Sequence, residues 1–122
     1  MATITFVSQR RKVYQNGALI AEENFNPRGV LLEYSPMGDR VNITIVAVKW
    51  DAEEQSFVEV EAGGILRTKR ARIVSDDGRV LRYVCIDDPD FEFTIETKSD
   101  NTIRCFTLIR KDTGKKYEYY DQ

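Results

Sequence analysis

Arg82 and Arg104 carry the most specific chemistry in this chain of 122 residues. Read as strands, Arg82 alternates with Val80, Val84 and Ile86, and Arg104 shares its face with Phe106 and Leu108. An arginine on an otherwise apolar face suits an acidic head group inside a barrel whose walls hold the tail. Its planar fork matches a carboxylate, and its charge needs a partner once buried. Tyr117 and Tyr119 alternate on one face of the last strand and add hydroxyls to the same candidate ligand site. The competing arrangement turns these faces outward and pairs the two arginines with Glu92 and Glu96. Alternation does not separate the two, because the opposite faces (Leu81, Tyr83, Cys85; Ile103, Cys105, Thr107, Ile109) are as apolar or more so. A one-residue change of register exchanges them, and the outward arrangement is preferred on that ground.

Other chemistry is narrowed by composition. Histidine is absent, which removes Ser-His-Asp and Cys-His catalysis, histidine proton shuttles and histidine-ligated metals. No nucleophile elbow, P-loop or dinucleotide fingerprint is present. Carboxylates, lysines and tyrosines remain as catalytic groups, but no pair of them is singled out, so the expectation is a protein that is not an enzyme and uses no cofactor. Asp87, Asp88 and Asp90, with Glu92 near, offer oxygen ligands to a hard cation but lack the spacing of a calcium loop, and Asp-Asp-Pro-Asp is also an ordinary turn. No metal site is expected. Arg67, Lys69, Arg70 and Arg72 place charge on both faces of one segment, which suits an exposed edge strand. Without a net basic balance, nucleic acid is not the expected partner. Cys85 and Cys105 fit no zinc spacing and read as buried small hydrophobes, with a single disulfide as the minority alternative.

The elements that must position these residues are set by turns. Turn signals recur about every dozen residues, a spacing typical of short antiparallel strands. They fall at Asn16-Gly17, Asn26-Pro27-Arg28-Gly29, Pro36-Met37-Gly38-Asp39, Asp51 to Glu54, Gly63-Gly64, Asp76-Asp77-Gly78, Asp87 to Asp90, Ser99-Asp100-Asn101 and Asp112-Thr113-Gly114. Asn16-Gly17 and Asp77-Gly78 suit two-residue type I′ hairpins, and Gly114 the left-handed position of a three-residue loop. The strands expected between them are Thr3–Val7, Lys12–Gln15, Ala18–Glu23, Val30–Ser35, Val41–Trp50, Ser56–Glu61, Ile65–Ser75, Arg79–Ile86, Phe91–Thr97, Thr102–Arg110 and Lys115–Tyr120. The first two read equally as one strand bent at Ser8–Arg11. Ala18–Glu23 has helical residue types but is too short for a helix without packing. Val41–Trp50 is rich in β-branched residues and reads as a central strand covered, in part, on both faces.

A meander of about ten short strands disposes of its edges by closing or by folding over. Short local connections favour an all-β, up-and-down barrel or strongly curved half-barrel, with a two-sheet sandwich as the alternative. In strand number and length this resembles the calycins, meaning lipocalins and intracellular fatty-acid-binding proteins. The resemblance is architectural alone. No Gly-x-Trp opens the first strand, Trp50 sits late, and Glu23 to Gly29 is too short for a two-helix lid, so family membership is not read from it.

The net charge is −2, with 42% hydrophobic and 31% charged residues, a balance that argues against disorder and for a packed core. The length suits a single barrel domain over 1–122. No apolar run approaches the roughly 18 residues of a membrane span. The start, Met1 to Val7, lacks the charged and apolar regions of a signal peptide, which makes the cytoplasm the default, with a mature secreted chain the alternative. The first functional expectation is a binding module for a small apolar or amphipathic acidic ligand in the interior. The alternative is a non-catalytic interaction module that uses its sheet surface or an edge strand, including association with itself.

Overall fold

The computed structural model describes residues 3–38, 40–100 and 102–121, and for residues 61–69 the backbone alone. The chain forms ten strands: β1 (Ile4–Ser8), β2 (Arg10–Gln15), β3 (Ala18–Asn24), β4 (Arg28–Met37), β5 (Arg40–Asp51), β6 (Ser56–Asp76), β7 (Val80–Cys85), β8 (Phe91–Thr97), β9 (Ile103–Arg110) and β10 (Lys115–Tyr120). They pair antiparallel into one strongly curled half-barrel, ordered β1-β4-β5-β6-β7-β8-β9-β10-β2-β3. The all-β half-barrel is thus the architecture formed, not the two-sheet sandwich.

Only Gln9 separates β1 from β2, yet β1 pairs with β4 and β2 with β10. The chain therefore passes from one end of the curled sheet to the other in a single residue. β1 also meets the opposite side of the curl through side chains: its Phe6 stands edge-on to Phe106 of β9, with ring centroids 5.5 Å apart. Phe106 in turn stacks on Tyr119 at 4.6 Å.

The concave side is filled by alternate residues of most strands. Val30, Leu32 and Tyr34 face Val41, Ile43, Ile45, Tyr83, Cys85, Phe93 and Ile95 in one buried cluster. Such alternation is what a strand with one wet face dictates. β5 is the exception expected of a central strand, since Val46 and Val48 on its other face are buried too. Within the cluster the Tyr34 and Tyr83 hydroxyls meet at 2.5 Å, which satisfies two polar groups that burial would otherwise leave without partners.

The turns follow their residue types, with three differences from the sequence reading. Asn16 and Gly17 have φ of 48° and 88°, and Gly114 has 71°, as expected. At Asp77-Gly78 only Gly78 has a positive φ. Asp77 instead accepts the Arg79 and Val80 amides through its carboxylate, and this replaces the I′ geometry. Gly63-Gly64 does not reverse the chain, so Ser56–Glu61 and Ile65–Ser75 are parts of one strand, β6. Opposite β5, Val48 faces Glu59 and Val46 faces Gly64, so five steps of β6 pass two of β5 in a wide bulge. Glycines relieve a bulge as readily as a turn. Pro36 lies within β4, beyond the last β1 pairing at Ile4–Tyr34, where its missing N–H is tolerated.

Candidate functional site

The site grows from the bend between β1 and β2. Ser8 is fully buried there. Its hydroxyl donates to the Arg10 carbonyl at 2.7 Å and faces the Arg10 amide at 3.3 Å, so the backbone groups freed by the bend keep a partner. The Phe25 amide donates to the Gln9 carbonyl at 2.8 Å. Gly29 of β4 comes so close that a Cβ there would stand 2.8 Å from the Ser8 carbonyl oxygen. β2 leaves this corner with consecutive arginines, and strand alternation sends them to opposite faces.

Arg11 turns inward. It pairs in register with Tyr119, whose ring belongs to the core. Its Nε donates to Glu23 Oε2 at 2.9 Å, its Nη2 makes a second bond to the same carboxylate, and its Nη1 donates to the Tyr119 hydroxyl at 3.1 Å. The guanidinium also lies over three rings, 5.1 Å from Phe25, 5.2 Å from Tyr117 and 5.6 Å from Tyr119. Burial opposes the charge, but Tyr119 and Glu23 outweigh it, so Arg11 is held charged more firmly than free arginine. Burial pushes the Tyr119 hydroxyl up, against the pull of Arg11, and keeps it neutral. Beside Arg11 an apolar pocket of about 170 Å³ opens between β2, β4, β5 and the start of β6, with Phe25, Val30, Ala47, Val48 and Val60 in its walls.

The structure divides the four residues of the sequence-based site. Tyr117 and Tyr119 face inward beside Arg11. Arg82 and Arg104 face outward, with side chains 52% and 54% exposed, too wet for interior anchors. Arg82 reaches across to Glu92, its Nε 3.0 Å from Oε1, and Arg104 lies 2.9 Å from Glu96. For Arg82 the reason is that Leu81, Tyr83 and Cys85 form the inward face of β7. For Arg104 it is a bulge: Glu96 pairs with Cys105 and Thr97 with Ile103, so Arg104 has no partner of its own. Ile103 and Phe106 both pack inward, and the extra residue is turned out.

Arg11 is the residue that sequence reasoning missed. Placing the bend at Ser8–Arg11 and starting the strand at Lys12 hid its alternation with Val13, which is buried. The acidic cluster is absorbed locally: Asp87 pairs with Arg70 at 2.9 Å, Asp88 accepts the Asp90 amide, and Glu92 holds Arg82 and, at 3.4 Å, Lys111. Among the described residues, no three histidine, cysteine or carboxylate side chains are placed to hold a metal ion. The basic segment is only partly at an edge: β6 pairs with β7 from Ala71 to Asp76, so Arg72 lies between two strands, whereas Lys69 and Arg70 are in register with β5 alone. Arg70 and Arg72 point to water while Ala71 between them is buried; the side chains of Arg67 and Lys69 lie outside the described residues. Cys85 and Cys105 are free, buried thiols, Cys85 packed in the core cluster and Cys105 outside it. Among the described residues no helix is long and apolar enough to cross a membrane.

Comparison with known protein families, with curated protein sequences and with solved structures finds no match to this chain.

Proposed function

We propose that this protein is a non-catalytic binding module for a small amphipathic acid, taken at the mouth of the half-barrel with Arg11, rather than Arg82 or Arg104, as the anchor. The observation that carries the reading is an inward-facing arginine beside an apolar pocket. Among the described residues, three of its five N–H donors are engaged, which leaves donors for a carboxylate. The pocket volume of about 170 Å³ sets the scale of the apolar part. An apolar cavity of about 150 Å³ holds one benzene ring, so the ligand is the size of an aromatic or short-chain acid.

Titration of the protein with benzoate and hexanoate, followed by NMR, tests this. Saturable shifts are expected at Phe25, Val48 and Val60. Arg11→Lys is expected to weaken binding about tenfold through loss of the fork, and Arg82→Ala to leave it unchanged. Benzamide bound as well as benzoate, or an Arg11→Lys protein that folds and binds normally, would falsify the proposal.

A second reading has its own observation. β3 is an edge strand that pairs only with β2, and its Leu19 and Ile20 are 50% and 56% exposed. An edge of this kind is a template for pairing with another chain. Association of the protein with itself through β3 predicts a mass that rises with concentration in light scattering and is reduced to one chain by Ile20→Lys. A strict monomer at every concentration sinks this version.

A further inference from the structure

The partner arginine at the bend, Arg10, marks a different place. It faces outward and lies in the same cross-strand row as Tyr120 of β10 and Cys105 of β9. Its guanidinium sits 5.7 Å from the Tyr120 ring centre, and its Nε donates to the Asp121 carbonyl at 3.1 Å. A guanidinium fixed through a ring and its Nε presents its two terminal nitrogens as a fork, the geometry that suits an oxyanion. Among the described residues no carboxylate forms an ion pair with Arg10. Lys12 lies over the same ring at 5.4 Å. Its ion-pair partner among the described residues is Glu22, at 3.8 Å, near the limit of an ion pair; Glu118 stands opposite it on β10 and accepts the Tyr120 hydroxyl at 2.9 Å. Arg104, turned out by its bulge, lines the same groove, which has a volume of about 480 Å³ and is completed by Arg11, Glu22, Glu23, Asn24 and Tyr120.

We propose that this outer groove binds a small phosphate monoester, with Arg10 as the fork, Lys12 and Arg104 as flanking charges and Tyr120 as the platform that holds the first two in place. Two cations over one ring, with Arg104 beside them in the groove lining though held by Glu96 at 2.9 Å, exceed what a single carboxylate needs and match a dianion. The groove is far larger than one phosphate group, which leaves room for the esterified part. Two carboxylates line the groove, Glu22 and Glu23; Glu23 is held by Arg11, so Glu22 is the one whose removal is expected to strengthen binding. Arg11 and Glu23 reach the lining of this groove as well, but the inner site is read at Phe25, Val48 and Val60 and this one at Arg10, Lys12 and Tyr120, so the two proposals are tested separately.

The test is an NMR titration with inorganic phosphate and with phenyl phosphate, each against sodium chloride at matched ionic strength. Saturable shifts are expected at Arg10 Nε and at the amides of Lys12 and Tyr120, with phenyl phosphate the tighter ligand. Arg10→Lys is expected to weaken binding about fivefold, since it keeps the charge and loses the fork. Glu22→Gln is expected to tighten it about twofold by removing a like charge. Arg110→Ala, a surface arginine over Phe91, controls for net charge and is expected to change nothing. Shifts reproduced by chloride, or surviving Arg10→Ala in a folded protein, overturn the site. An ester that binds no more tightly than inorganic phosphate overturns the assignment to monoesters.

Discussion

Glu92 shows how much of this sheet depends on single charges. Its carboxylate is almost fully buried on the outer face, yet it is shared by Arg82 and by Lys111. Burial works to raise its pKa, but the two cations outweigh that and hold the carboxyl below its ordinary 4.5. A lowered folded-state value means that the stabilisation is complete above the unfolded value and is lost as pH falls through the folded one. Both cations are about half exposed, so water screens much of the pairing and about 1 kcal/mol is the expected contribution. Glu92→Gln is therefore expected to lower stability by about 1 kcal/mol in urea titrations near neutral pH, with the gap closing in strong acid. A gap that persists in acid would assign the loss to packing. Cys105 offers a second check, because burial, with Glu118 adding to it, pushes its thiol up to about 11. Native protein at neutral pH is expected to resist thiol reagents, and both cysteines to react once urea unfolds it. At this scale the sequence showed which residues carry charge on apolar strands, but not their direction. Arg82 needed to be told from Leu81 by the sheet's curvature, and Arg104 was reversed by a bulge that no residue type announces.

Among the elements, the β1–β2 bend has the least freedom. Gly29→Ala places a methyl group 2.8 Å from the Ser8 carbonyl oxygen, a backbone atom that cannot swing aside. It is expected to cost about 1–3 kcal/mol, the usual range for overpacking, read as a lower urea midpoint with an unchanged slope. An alanine variant as stable as the parent would show that the corner yields. The elements themselves were largely legible, since turn chemistry at Asn16-Gly17, Asp51 to Glu54 and Asp112-Thr113-Gly114 falls where the chain reverses. Gly63-Gly64 was misread because glycine permits turn and bulge alike, and only the partner strand decides. The edge reading of the basic segment failed only from Ala71 onward, where β7 pairs with β6: two outward arginines with a buried alanine between them look the same whether or not a neighbour is paired.

For the whole molecule, stability is expected to be graded from centre to rim. β5 is paired along both sides and has no exposed residue from Val41 to Val48, whereas β3 pairs on one side and is mostly exposed. Amide exchange is expected to be slowest in β5, approaching the rate of global unfolding, and fastest in β3. Equal protection in the two strands would contradict that gradient. The half-barrel was predictable from turn spacing. Its ends were not, because joining them depends on a one-residue corner and on contacts such as Phe6 with Phe106, which lie far apart in the chain.

That corner also orders events during synthesis. The β2–β3 hairpin can form as soon as it is made, but the other neighbour of β2 is β10, the last of these ten strands to be translated. At about 5–20 residues per second, the intervening chain keeps the ribosome occupied for on the order of ten seconds. Through that time β2 has an unpaired side, and Arg10, Arg11 and Lys12, the last two matched by Glu23 and Glu22 across the hairpin, give the nascent chain a charged front where an apolar one would invite its neighbours on the same messenger. Deleting β10 would make this passing state permanent.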